Sequence, residues 1–274
     1  MEFLIDKDKI ERCIVPHLST GKRGSKIGPT VCEIVRAILY RLKTGCQWRQ
    51  LPLKAFFDKG KLSWQGVYYH FARWTKDGSF KRMWTALLSS NHKYLDMSCV
   101  QLDGSHTPAK NGGAAIGYQG RKSARTTNML FLADNQGIML ACAEPQAGNH
   151  NDVYELQALF AQLLATLKQA AIPIAGLFLN ADAGFDCKVL REDCSRMDIA
   201  ANIADNKRNE CVQNDNYVYF DQELYKRRNV IERANAWIDS FKALLIRFET
   251  NTSTWVALHL LAFAIMFIRK IYKT

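Results

Sequence analysis

No two of the eight cysteines stand as a Cys-x2-Cys pair, which argues against a zinc ribbon and against a secreted disulfide framework. Scattered thiols at Cys13, Cys32, Cys46, Cys99, Cys142, Cys187, Cys194 and Cys211 suit a reducing cytosol. Long apolar runs are also missing. The longest, Trp255 to Ile268, is broken only by His259, yet its roughly 14 residues fall short of the roughly 20 that cross a bilayer, so a buried helix is expected there. Met1-Glu-Phe-Leu-Ile-Asp-Lys7 has no basic segment followed by an apolar core, so no signal peptide is expected. No internal repeat is visible. Hydrophobic residues make up 48% of the 274, enough to exclude disorder and to build one large or two ordinary cores.

Acidic residues are scarce in one place only. Met1 to Tyr94 holds 7 Asp/Glu against 18 Lys/Arg, whereas Leu95 to Thr274 holds 19 of each. A cationic module joined to a neutral one points to a polyanion held by phosphate neutralisation, with more local chemistry performed elsewhere. Lys22, Arg23 and Lys26 are expected among the cations that touch duplex DNA. The segment reads as helical, with Ile34, Ile38 and Leu42 on one side of a helix over 33–42. Ser63 is a plausible N-cap for a second helix over 64–74, and Gly78 stands just behind its end. That helix interleaves Trp64, Tyr68, Phe71 and Trp74 with Gln65, Tyr69, His70 and Arg73, as a helix-turn-helix recognition helix would, and Gln65, Tyr69 and Arg73 are its candidate base readers.

After residue 98 the pattern changes to short apolar runs, two of which end in an aspartate. Asp103 follows Cys99-Val-Gln-Leu102 and Asp182 follows Leu177-Phe-Leu-Asn-Ala181, so each carboxylate is expected at the C-terminal end of a strand, where open α/β sheets place ligands. A third acid, Glu232, falls on a helix. At about 100° per residue, Tyr225, Arg228, Glu232 and Asp239 lie within an arc of roughly 60°, one polar stripe on that helix. Oxygen donors of this kind suit Mg²⁺ or Mn²⁺, and two such ions about 3.5–4 Å apart support in-line displacement at phosphorus. Arg228, one turn before Glu232, would hold that carboxylate ionised or clamp a phosphate.

Gln101-Leu-Asp-Gly-Ser-His106, Asn180-Ala-Asp-Ala-Gly-Phe-Asp186 and Tyr225-x2-Arg228-x3-Glu232-Arg-Ala-Asn-Ala-Trp237 resemble the three catalytic boxes of DDE transposases from bacterial insertion sequences, of the group numbered five in the four/five-like superfamily. Gly148-Asn-His-Asn-Asp152 resembles a Gly-x-x-His-Asp box of the same family, and Tyr40 to Pro52 its N-terminal region. The resemblance implies a ribonuclease H-like fold. It also implies two divalent metal ions held by Asp103, Asp182 and Glu232, and cutting and joining of DNA strands by a homodimer or larger homo-oligomer on the element's ends and target. One departure stands out: Asp239 occupies the place where the pattern continues with Lys, with Lys242 one turn later as a substitute.

The expected organisation is a helical DNA-binding domain over 1–94 and a catalytic domain over 95–274, an α/β fold with a mixed sheet flanked by helices. Three strands come first, the last two joined at Asn135-Gln-Gly137 as a hairpin; a helix over 152–171 follows, which Asp152 would cap. A strand delivering Asp182, a helix over 187–197, a strand over 199–204, a loop over 206–220 with a short β element and the Glu232 helix complete the order. Gly112, Gly113, Gly117 and Gly120 with Arg121, Lys122 and Arg125 read as a mobile basic loop for phosphates, and His150 as a phosphate contact or a hydrogen-bond partner of a metal-ligating carboxylate. A cytoplasmic, nucleoid-bound protein is expected. Two alternatives stay open at this point: a metal-dependent nuclease of the same fold that cuts without joining, and an inactive relative acting as a DNA-binding repressor.

Overall fold

The computed structural model describes residues 4–21, 28–57, 62–206 and 220–272, and its contacts divide into two units. Unit 1 comprises Met1–Ser90, Lys110–Gly113 and Ile238–Thr274; unit 2 comprises Asn91–Ala109 and Ala114–Trp237.

Unit 1 is helical: α1 (Lys7–Cys13), α2 (Val31–Thr44), α3 (Trp64–Lys76), α4 (Ser79–Ser90), α9 (Lys242–Leu245) and α10 (Thr252–Ile271). Thr30 and Glu33 close a reciprocal cap on α2, the Thr30 hydroxyl accepting from the Glu33 N–H and the Glu33 carboxylate from the Thr30 N–H. Ser63 caps α3 by accepting from the Gly66 N–H at 3.3 Å. Ile34, Ile38 and Leu42 are all buried, as their spacing predicts. The core is aromatic, with Trp84 of α4 meeting Phe263 and Phe267 of α10 at ring-centre distances of 5.7 and 5.9 Å. At its centre the Arg41 guanidinium donates to the Glu249 carboxylate at 2.6 Å and lies 5.0 Å from the Trp48 ring, with both charged residues buried.

Two sequence expectations change here. The helix containing Trp255–Ile268 runs to 20 residues, long and apolar enough to cross a membrane, so the argument from its shortness falls; 72% of its apolar window is nonetheless buried inside the protein. The compact units also depart from a single division at residue 94, because α10 supplies part of the core of the N-terminal helices. Recounted by unit, the charge separation sharpens: 23 Lys/Arg against 9 Asp/Glu in unit 1, a net +14, and 14 against 17 in unit 2, a net −3.

Unit 2 is built on a seven-stranded mixed sheet: β1 (Val100–Pro108), β2 (Gly117–Gln119), β3 (Ala124–Ala133), β4 (Met139–Cys142), β5 (Gln146–Ala147), β6 (Phe178–Ala181) and β7 (Ala200–Ile203). Its helices are α5 (Leu156–Gln169), α6 (Lys188–Arg196), α7 (Gln222–Lys226) and α8 (Asn229–Asp239), the last of which passes into unit 1 beyond Trp237. The strand path is β2-β3-β1-β6-β7, with β4 and β5 on β3; β1 pairs antiparallel with β3 and parallel with β6, and β6 parallel with β7. An antiparallel meander continued by parallel crossover strands is the ribonuclease H-like arrangement. The hairpin between β3 and β4 turns where expected, with Gly137 at φ +85° and the Asp134 carboxylate accepting from the N–H groups of Gln136 and Ile138.

Five strands precede α5 instead of three. The glycine-rich stretch after Asp103 is not one loop: β1 runs on to Pro108, β2 forms at Gly117, and Gly113 packs on Thr250 inside unit 1. Alternation of small and polar residues hid these strands, since only backbone pairing with β3 sustains them. The expected β element within 206–220 lies outside the described residues except at its ends.

Candidate active site

Register places the two aspartates. Parallel pairing between β1 and β6 covers only Val100–Leu179 and Gln101–Asn180, and beyond it the two strands part. Asp182 follows the end of β6 as expected, its carboxylate accepting from the Gly184 N–H at 2.8 Å. Asp103, by contrast, lies inside β1, because β3 goes on pairing with that strand through Pro108 after β6 has left it. The opening that the chain offers these carboxylates is therefore the fork between β1 and β6.

Arg228 reaches both acids: its Nη2 lies 3.7 Å from Asp103 Oδ1 and 3.8 Å from Asp182 Oδ2. Asn235 Nδ2 donates to the other Asp103 oxygen, Oδ2, at 3.0 Å. Burial pushes the Asp103 carboxyl up to about 6; Arg228 opposes that rise, and the negative charges of Asp182 and Asp152 add to it. Two crowded hard-oxygen donors, one of them made easier to protonate by burial, match what a divalent cation would relieve, so the pair fits such an ion.

Glu232 is not part of the pair. It is exposed on α8, and among the described residues no three His, Cys, Asp or Glu side chains gather closely enough to hold a metal ion. The expected single stripe is interrupted as well. Asn180 Nδ2 donates to the Leu224 carbonyl at 2.7 Å and Asn202 Nδ2 to the Asp221 carbonyl at 2.9 Å, anchoring α7 on β6 and β7, whereas α8 rests on the β3–β4 turn, where a Cβ at Gly137 would lie 3.1 Å from Val230 Cγ1. Arg227 and Arg228 form the turn between these two anchors. Arg228 thus points to Asp103 and Asp182 instead of to Glu232. The Tyr225 ring lies 5.7 Å from the Arg228 guanidinium. Lys242 begins a separate helix, so it does not continue the α8 face past Asp239.

Asp152 does not cap α5, which starts at Leu156 behind Glu155, a residue at φ +50° that offers no side-chain cap. Its carboxylate turns to the sheet instead, accepting from Asn128 Nδ2 at 2.8 Å and lying 4.0 Å from His106 Nε2. Glycines permit this. A Cβ on Gly104 would stand 2.7 Å from Asp152 Oδ1, one on Gly117 would collide with Asn149, and one on Gly148 would collide with Thr126. Residues 148–152 therefore lie flat across β2, β3 and β1. His150 stacks on Tyr154, with ring centres 3.7 Å apart and planes 11° from parallel. His106, kept neutral by burial, meets the Thr126 hydroxyl at 3.3 Å through Nδ1.

The basic segment forms a hairpin between β2 and β3. Arg121 and Lys122 sit in a turn of 3-10 helix at its tip and Arg125 on β3; all three are exposed, and Lys122 Nζ donates to the His106 carbonyl at 2.8 Å. In unit 1, Gln65 and Tyr69 are exposed on α3. Arg73 is not available in the same way, because its Nη2 donates to the Ser19 carbonyl at 2.5 Å, and His70 is buried. Lys22, Arg23 and Lys26 lie outside the described residues. Asn235 is the site residue that sequence reasoning passed over; its signal was its place three residues beyond Glu232, one turn along the same helix.

A forked ribonuclease H-like sheet with an acidic pair at the fork defines the class of polynucleotidyl transferases that depend on divalent metal. Within it, the chain belongs to the transposase DDE domain family, whose model matches residues 94–267. The model of a transposase family named for the IS4/5 group matches residues 8–84. No curated protein sequence matches the chain. Among solved structures it is similar to the Mos1 transposase paired-end complex with left transposon end, at 12% identity over 93% of this chain and 82% of that one, with a TM-score of 0.31. It is similar also to the Mos1 strand transfer complex, at 10% identity over 93% and 81%, with a TM-score of 0.30.

Proposed function

We propose that this transposase cuts DNA at the ends of an insertion sequence and joins the freed ends to target DNA. The observation that carries the reading is the acidic pair at the fork between β1 and β6, held around one arginine. Asp103 and Asp182 would hold Mg²⁺ or Mn²⁺, two ions in the full site, and Glu232 would complete the ligand set from α8. Bound there, such ions supply Lewis-acid activation of an attacking oxygen and stabilisation of the leaving one.

The chain's own residues do the rest. Burial strengthens the charge interactions at Asp103, while Asp182 beside it stays open to solvent and to an incoming phosphate. Arg228 has a planar guanidinium that suits phosphate as well as it suits carboxylate, and it serves as a clamp on the scissile strand. Arg121, Lys122 and Arg125 grip flanking phosphates from the hairpin, and His150 and Tyr225 are further DNA contacts in this reading. Gln65 and Tyr69 on α3, within a helix-turn-helix-like pair with α4, offer base contacts, and the surplus cations of unit 1, Lys22, Arg23 and Lys26 included, supply sequence-independent affinity. The protein would act in the cytoplasm on nucleoid DNA, as a homodimer or larger assembly on paired ends.

A paired-end assay tests the reading: purified protein, two labelled element ends and a supercoiled target with Mn²⁺. Joined products are expected. Cleavage without joining would identify a nuclease, and metal-independent binding without cleavage a repressor.

A further inference from the structure

We propose that Asn235 is a positioning residue for Asp103. This rests on the reading that Asp103 holds metal. Asn235 occupies α8 at the edge of that helix's buried face, beside Ile231, Ala234 and Ile238, which seat the helix. From there its Nδ2 donates to Asp103 Oδ2 at 3.0 Å, while Oδ1 of the same carboxylate faces Arg228. One oxygen is thereby occupied and the other is presented. A carboxylate at the middle of a strand otherwise turns freely about its last bond, since that torsion has broad wells. With Oδ2 tied, only Oδ1 is directed at the side where Asp182 lies.

The rest of Asn235 strengthens the case. Its own Oδ1 is buried and accepts no hydrogen bond, a cost that a purely structural position would avoid with an apolar side chain of the same size. On the helix, Asn235 and Glu232 are three residues apart, about 60° around the axis, so the bond that orients Asp103 also sets the rotation of α8 and with it the direction in which Glu232 leaves the helix.

Asn235→Leu and Asn235→His in the full-length protein separate this role from packing, since both side chains are larger than Asn and only His places a ring N–H donor near the original Nδ2. Mn²⁺ binding followed by electron paramagnetic resonance in the absence of DNA is expected to weaken about tenfold in Asn235→Leu and to stay within about threefold of wild type in Asn235→His, the range seen when a residue that orients a metal ligand is lost. Cleavage should follow in kcat, with KM for the DNA ends unchanged, and thermal midpoints report folding for each variant. Equal Mn²⁺ affinity in the two variants, whether high or low, overturns the proposal. Asp103→Asn measured alongside isolates the underlying reading: if it too leaves Mn²⁺ binding unchanged, the metal assignment fails, whereas weakened binding in Asp103→Asn with equal Asn235 variants sinks only the role of Asn235.

Discussion

Each unit of this protein sets an arginine against carboxylate, and the two contacts differ. In unit 1, Arg41 meets Glu249 at 2.6 Å, with both residues buried. In unit 2, Arg228 stands 3.7 and 3.8 Å from two aspartates at once and closes on neither. A closed pair serves the fold, and removing one partner leaves a buried charge without compensation. An open arrangement keeps two like charges near one another with a cation that can be exchanged. The first is a structural bond. The second leaves both carboxylates short of a closed ion pair.

The largest expected effect lies on the open side. Asp103→Asn and Asp182→Asn, each nearly isosteric, should lower end cleavage about a thousandfold, ~4 kcal/mol of barrier, while chemical denaturation changes little; cleavage within tenfold of wild type for either would remove that residue from the site. The closed side should respond in the opposite manner. Glu249→Gln is expected to destabilise unit 1 by about 3 kcal/mol in urea and to leave the intrinsic Mn²⁺ affinity of folded protein intact, and a loss below about 1 kcal/mol would show that the pair contributes no more than a surface contact.

How much of this was legible depended on where the information sits. Apolar runs announced β6, β7 and the hairpin at Gly137, because a buried strand must be written in buried side chains. The second half of β1 and all of β2 carry small and polar residues, and their structure comes from pairing with β3, which no local pattern records. The Thr30–Glu33 cap was readable from spacing alone and was not read. The three acids were legible in strand ends, a helical stripe and family motifs, yet the break between α7 and α8 comes from Asn180 and Asn202 binding carbonyls of a distant helix, and that break turns Arg228 away from Glu232. Nor could α10 be assigned to a unit from its sequence, since a buried helix looks the same whichever core it enters.

A smaller effect contrasts unit 1 with itself under acid. His259 of α10 is buried, and burial lowers its pKa from 6.5 to about 4. Because the folded value is depressed, the unfolded chain takes up a proton first as pH falls below 6.5, and stability declines until pH reaches about 4, by about 3 kcal/mol at most. Denaturation midpoints from pH 7 to pH 4 should show this slope, and His259→Phe should flatten it; an unchanged slope would place the acid sensitivity elsewhere.

Smallest is the test of exchangeability. If the guanidinium and a divalent ion compete for the same oxygens, Arg228→Gln should tighten Mn²⁺ binding to the DNA-free protein by about tenfold, ~1.4 kcal/mol, even as it weakens binding of element ends. Weaker Mn²⁺ binding in this variant would mean that Arg228 supports the metal site instead of holding its place.

The glycines at 104, 117 and 148 bear on the precision of the whole arrangement. The segment 148–152 meets the sheet at three places, two of them missing a side chain on the sheet, at Gly104 and Gly117, and one missing it on the segment, at Gly148. Its approach to the sheet is set by the Asp152 and Asn149 side chains over Gly104 and Gly117 and by Thr126 against Gly148. A side chain added at any of the three would lift the segment and carry Asp152 away from β1, in the way that a shim under one foot tilts a mounted part.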